Sequence, residues 1–180
     1  MRSYLTAAAM CACMACASAT DVSSTAKTYS GVYSTQVVES TVSTSLTGGG
    51  TFPCTNTYTM SGTITMTIDQ AAGAVAGSAH VVGTQKETAH SSGSSCVAKG
   101  DLTTDWNPRV SGTTSSLRFD DQSVSTNAGY AVTARTSFTG SLSGSVITGT
   151  LGFSVAGSGT FGGVTSVAQN YSASTSVTLQ

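Results

Sequence analysis

Between residues 57 and 68 the chain reads TYTMSGTITMTI. Tyr58, Met60, Gly62, Ile64, Met66 and Ile68 occupy the even positions; the odd positions are all Thr or Ser. Strict alternation of this kind puts one apolar face and one hydroxyl face on a β-strand. Thr is itself β-branched and suits a strand. Asp69 to Gly73 reads as a loop of five residues. A second run over 74–85 follows, with Val75, Gly77, Ala79, Val81 and Gly83 on one parity. The two runs predict a hairpin, thin or kinked at the glycines.

The pattern recurs downstream. Tyr130, Val132, Ala134, Thr136 and Phe138 alternate with Ala131, Thr133, Arg135 and Ser137. Leu142 and Val146 are even, whereas Ile147, Leu151, Phe153 and Val155 are odd, so a tight turn or bulge is expected near Ser143-Gly144-Ser145. Residues 111–119 form a further candidate strand, and 171–179 a last one carrying Tyr171, Ala173, Val177 and Leu179 on one face. The first run, 29–46, is mixed: Tyr29, Tyr33 and Val37 are odd, Val32, Val38, Val42 and Leu46 even. It predicts a long strand with a bulge near Val37-Val38. No mature segment shows helical periodicity over ten residues.

About eight antiparallel strands with Gly and Ser turns make an all-β meander, expected to be a small β-barrel, with a β-sandwich as the alternative. Closure favours the barrel. Only 8% of residues are charged, against roughly 25% in ordinary domains, so lysines are too few to guard open strand edges. A membrane barrel is the minority alternative. Its polar lumen would suit hydroxyl rows, but aromatic girdles are missing from the sequence.

The first twenty residues, MRSYLTAAAMCACMACASAT, have Arg2 as their only charge and end in Ala17-Ser18-Ala19. This is the pattern of a secretory signal peptide over 1–19, too short for a membrane-spanning helix. The competing expectation is a lipoprotein signal ending before Cys16, with that cysteine acylated. Residues 20–28 then read as a flexible leader and 29–180 as one β domain. Either signal implies a bacterial protein outside the cytoplasm: secreted, periplasmic or lipid-anchored. Of five cysteines, Cys54 and Cys96 lie in the mature part, and an oxidising compartment predicts one disulfide between them.

Composition narrows the partners. About one residue in three is Ser or Thr and the net charge is −1. No basic excess exists for nucleic acid or for an anionic lipid surface. With 39% apolar residues the chain can bury a core, unlike a disordered sequence.

Candidate chemistry is sparse. The densest stretch is Asp101–Arg109, DLTTDWNPR. It contains the sole tryptophan, and Asp105, Trp106, Asn107 and Arg109 are the candidate binding residues, since Trp beside polar donors suits a ligand or partner. The bland alternative has Trp106 plugging the barrel end or packing on the disulfide. Pro108 disfavours helix at Asn107. His80 and His90 are the only candidate bases, and no Gly-x-Ser-x-Gly elbow accompanies them. Asp101, Asp105, Asp120 and Asp121 match no calcium loop, and no metal or cofactor is expected. The segment Ser30-Gly31-Val32-Tyr33-Ser34 lacks the Gly-x-Trp of avidin- and lipocalin-type barrels, so their ligand sites are not carried over. The expected function is therefore a non-enzymatic barrel binding a small molecule or a protein partner. A structural or adhesive surface protein and a hydrolase with an unfamiliar site are the alternatives.

Overall fold

A computed structural model describes residues 25–44, 51–71, 73–91, 101–127, 130–161, 164–165 and 169–180. Every element among them is a strand: β1 (Lys27–Thr44), β2 (Thr51–Ala71), β3 (Ala74–His90), β4 (Leu102–Trp106), β5 (Arg109–Thr113), β6 (Ser116–Asn127), β7 (Tyr130–Ser143), β8 (Val146–Phe161), β9 (Val164–Thr165) and β10 (Gln169–Leu179). The strands pair antiparallel in chain order, and β10 lies between β8 and β1. The sheet is thus nearly closed into a barrel, the first of the two expected architectures.

β4 and β5 are one strand broken at Asn107-Pro108. Both pair with β3 in a common register, Val81 with Trp106 and Ser78 with Arg109. Proline has no N–H for the ladder; its carbonyl still accepts from the Ala79 N–H at 2.8 Å. Counted this way the wall has eight strands, with β9 a short addition to β8.

The stagger follows from the registers. Around the wall, Ser30 meets Thr65 and then His80. The β3, β5 and β6 registers lead on through Asn107 and Gln122 to Arg135, Ser154 and Ser172. The Ser40–Asn170 register returns Ser172 to Val38, eight residues along β1 from the start. An eight-stranded barrel has an interior just wide enough for side chains to fill. Tyr29, Ile64, Met66, Ile68, Val81, Leu117, Phe138, Ile147, Leu151 and Leu179 fill it here.

The apolar parity predicted for β2 and β3 points inward throughout, and the hydroxyl rows point out. Outward hydroxyls are the reverse of a lipid-facing barrel, whose outer band must be apolar. Among the described residues no helix is long and apolar enough to cross a membrane.

Four details correct the sequence reading. First, β1 pairs with β2 without interruption from Lys27–Ile68 to Thr44–Thr51, so no bulge occurs at Val37-Val38. The odd face turns inward because it carries Tyr29 and Tyr33, which bury more area than Val32 and Val38 can. Those valines are left 76% and 56% exposed. The irregularity falls instead between Thr57 and Tyr58, where β2 meets β3. Second, the β2–β3 strands continue through Asp69 to the Ala71–Ala74 pair, so the connection is two residues rather than five. Gly73 takes φ 87° there, the left-handed conformation that such hairpins require. Third, residues 111–119 are not one strand but the end of β5, a two-residue turn and the start of β6. Fourth, strand structure begins at Lys27, inside the expected leader. The turn expected at Ser143-Gly144-Ser145 is present, with Gly144 at φ 61°.

Two glycine pairs make room for aromatic rings. Gly62 faces Gly83 across β2 and β3, and the Tyr33 phenol lies where a Gly83 side chain would start. Gly140 faces Gly149 across β7 and β8, and the Phe138 ring covers both. Bare backbone at these points gives each ring a flat seat in a narrow interior.

Candidate functional site

Among the described residues, one end of the interior is packed with aliphatic and aromatic side chains, and the other holds a group of polar ones. Alternation along β1 brings Glu39 inward two residues after Val37, and it is 2% exposed. The Tyr58 hydroxyl donates to Glu39 Oε2 at 3.0 Å. Asn56 Nδ2 donates to Glu87 Oε1 at 3.1 Å, and His90 Nδ1 lies 3.4 Å from the same oxygen. Across the interior the Tyr171 hydroxyl donates to Gln85 Oε1 at 3.0 Å. Burial and the Glu39 charge push the Tyr171 phenol up to about 12. The same two causes, burial first, raise Tyr58 further. Burial raises Tyr33 too, partly offset by the Thr104 hydroxyl.

The wall is open beside this polar end. β6 pairs with β5 only from Ser111–Arg118 to Thr113–Ser116. Beyond that, β6 pairs with β7 alone and β4 pairs with β3 alone. The Asn107-Pro108 break turns β4 off the path that would bring it to β6. A hollow of about 480 Å³ occupies the gap, lined by Thr103, Thr104, Asp105 and Trp106 of β4, Ser123 and Ser125 of β6, with Gln85, Ala134, Val155 and Tyr171 behind. Its volume and its mix of aromatic faces with a few polar groups suit a small ligand.

The candidate residues from the sequence separate here. Strand alternation sends Trp106 inward, where it is half-buried and packs against the core. Asp105 points outward, and its Oδ1 receives both His80 Nε2 at 3.0 Å and Asn107 Nδ2 at 3.1 Å. Arg109 lies on the outer face of β5, against a different groove. Asp105 and Trp106 therefore border the hollow, Asn107 orients the aspartate, and Arg109 stands apart. Asp120 and Asp121 sit on opposite faces of β6; Asp120 is bound by Arg135. That guanidinium holds the Asp120 carboxyl below its usual range. Cys54 is buried. Cys96 and the stretch expected to be an N-terminal signal, Cys16 included, lie outside the described residues.

Glu39, Asn56 and Gln85 are not among the candidate residues of the sequence, and Tyr58 and Tyr171 enter it only as members of an apolar face. A signal for Glu39 exists: it continues the parity of Tyr29, Tyr33 and Val37. The others are polar residues on inward positions and become conspicuous only when the interior is assembled.

Among the described residues no nucleophile accompanies the His80–Asp105 pair. Both side chains are at least half exposed, and among the described residues no serine or threonine hydroxyl is hydrogen-bonded to His80. No cluster of three metal-ligating side chains occurs among the described residues. No family model and no curated protein matches the chain.

Proposed function

We propose that this chain is an exported, non-enzymatic β-barrel that binds a small, uncharged, hydroxyl-bearing ligand at the gap between β4 and β6. The hollow beside Trp106 carries this reading: an aromatic face, the Gln85 amide and the hydroxyls of Thr103, Thr104, Ser123 and Ser125 border one space. Aromatic faces pack on the C–H faces of such molecules while fixed hydroxyls and amides select their orientation. Trp106 is the only tryptophan, so its emission reports on this space without labelling. Titration with glucose, N-acetylglucosamine and cellobiose is expected to shift the emission saturably with at least one of them. Ala134→Phe, which fills the hollow from β7, is expected to abolish the shift. Emission unmoved by every probe up to about 10 mM, a binding free energy of under ~3 kcal/mol, would overturn the reading.

A structural or adhesive role is the second reading, favoured by the outer hydroxyl rows. Thr28 bonds Thr67 at 3.0 Å and Ser30 bonds Thr65 at 3.2 Å, a ladder of side chains on the outer face of β1 and β2. Concentration-dependent sedimentation would favour it; a monomer at all concentrations would not.

Export and the disulfide belong to the same proposal. Protein isolated from its host is expected to have an intact mass that begins at Thr20 and lacks two hydrogens for a Cys54–Cys96 bridge. A bridge across that span would constrain the unfolded chain by about 4 kcal/mol in the entropy model. A lipidated Cys16 would instead show an anchored form, and a mass beginning at Met1 would exclude export.

A further inference from the structure

The chain has seven lysines and arginines in all, and three of them meet on the outer face of β5, β6 and β7. Arg118 pairs with Ser111 in register, and Arg109 is two residues along from Ser111 on the same face. Diagonal neighbours of this kind stand roughly 7–8 Å apart, within the reach of two guanidinium groups converging on one ligand. Gln122 pairs with Arg135, which places the third arginine on the next rows. Arg135 is committed to Asp120 through two nitrogens, Nε donating to Oδ1 at 2.6 Å and Nη2 donating to Oδ2. Arg109 and Arg118 are both exposed, and neither makes an ion pair or side-chain hydrogen bond among the described residues. Asp120 is the one acid in this patch, so the patch is positive although the chain as a whole is slightly acidic.

The arginines border a groove. Arg109, Ser111, Arg118, Asp120, Ser137 and Thr139 line a space of about 330 Å³. A second space of about 390 Å³ shares Ser137 and runs past Arg135 to Gly152, Ser154 and Ser172. The absence of a side chain at Gly152 deepens the wall there. Together they form a track across several strands, with Arg109 and Arg118 in the first space, Arg135 in the second and hydroxyls in both.

We propose that this track is a binding site for an acidic oligosaccharide, separate from the hollow beside Trp106. Arg109 and Arg118 would each clamp a carboxylate or sulfate group, for which the planar guanidinium fork is suited. Ser111, Ser137, Thr139, Ser154 and Ser172 would meet the sugar hydroxyls. Three arginines are too few to hold a nucleic-acid backbone against salt. A lipid surface would require exposed apolar side chains beside the arginines, whereas the rings that touch the groove, Phe119, Phe138 and Phe153, are 3%, 1% and 5% exposed.

The test is calorimetric titration of the whole protein with a hexameric oligogalacturonate, against maltohexaose and inorganic phosphate as probes. The acidic oligomer is expected to bind, more weakly as salt rises, and at least tenfold more weakly to Arg109→Gln/Arg118→Gln. Both side chains are exposed, so circular dichroism should show that variant folded. Asp120→Asn frees Arg135 and removes the opposing charge; it is expected to tighten binding several-fold, a gain that misfolding cannot produce. The Ala134→Phe variant, filled at the hollow, should bind the oligomer as the parent does, so failure of one site is distinguishable from failure of the other. Equal binding of maltohexaose, phosphate binding as tight as the oligomer, or an unchanged affinity in the double arginine variant would each overturn the proposal.

Discussion

Replacing Phe138 by alanine is expected to destabilise the barrel by about 4 kcal/mol, near the upper range for deletion of a buried aromatic. The ring is 1% exposed. It stacks on Phe119 with centroids 5.6 Å apart and lies over the Gly140–Gly149 pair, where no neighbouring side chain can move in to replace it. The surrounding wall is held by its β-ladder and can collapse only slightly, so most of the ring volume would remain as a cavity. For a chain of this length such a loss lowers Tm by roughly 8–16 °C. Phe138→Leu keeps much of the volume and should lose clearly less. Thermal and urea melts measure both. A loss below about 1 kcal/mol for the alanine variant would mean that the ring is not seated between these strands.

Alkaline pH is expected to unfold the protein through its interior phenols. Each raised tyrosine holds its proton more tightly in the folded state than in the unfolded chain, where it titrates near 10. The stability this represents is fully present below pH 10 and is lost as pH rises toward the folded value. For Tyr171, held up to about 12, the window is pH 10 to 12 and the loss about 2 kcal/mol. Tyr58, hydrogen-bonded to Glu39, adds to it over a higher range. Urea midpoints should be flat from pH 7 to 9.5 and then fall steadily. Tyr171→Phe should flatten part of that fall. A midpoint unchanged up to pH 12 would place these phenols in water and remove the polar interior described above.

Both predictions depend on the interior, and the interior was only half legible in the sequence. The strands over 57–68, 74–85 and 130–138, their inward faces and the turn at Gly144 follow from local alternation, because side-chain direction in a strand repeats every two residues whatever the strand pairs with. The scarcity of charge likewise argued for closure. Mixed segments were a different matter. In 29–46 two parities carried apolar residues, and the choice between a bulge and a straight strand rested on which face met Tyr58, Met66 and Leu179 across the barrel. The stretch 101–109 stands out in the sequence for its chemistry and its proline, and only its pairing with β3 shows β4 and β5 to be one strand.

Asp105, Trp106 and Arg109 were legible as candidates, but how the proposed sites are assembled lies on the tertiary side. Nothing in the spacing of Glu39, Gln85, Trp106 and Tyr171 brings them to one end of a barrel, and nothing in the spacing of Arg109, Arg118 and Arg135 gathers them on one face. The sequence by itself determined that this protein is a meander of strands with one apolar and one hydroxyl face, since both properties are set by neighbours in the chain. Register, closure and the opening between β4 and β6 were decided only by the folded structure. They depend on pairings between residues far apart in the chain, where the area buried by the whole interior outweighs the preference of any one segment.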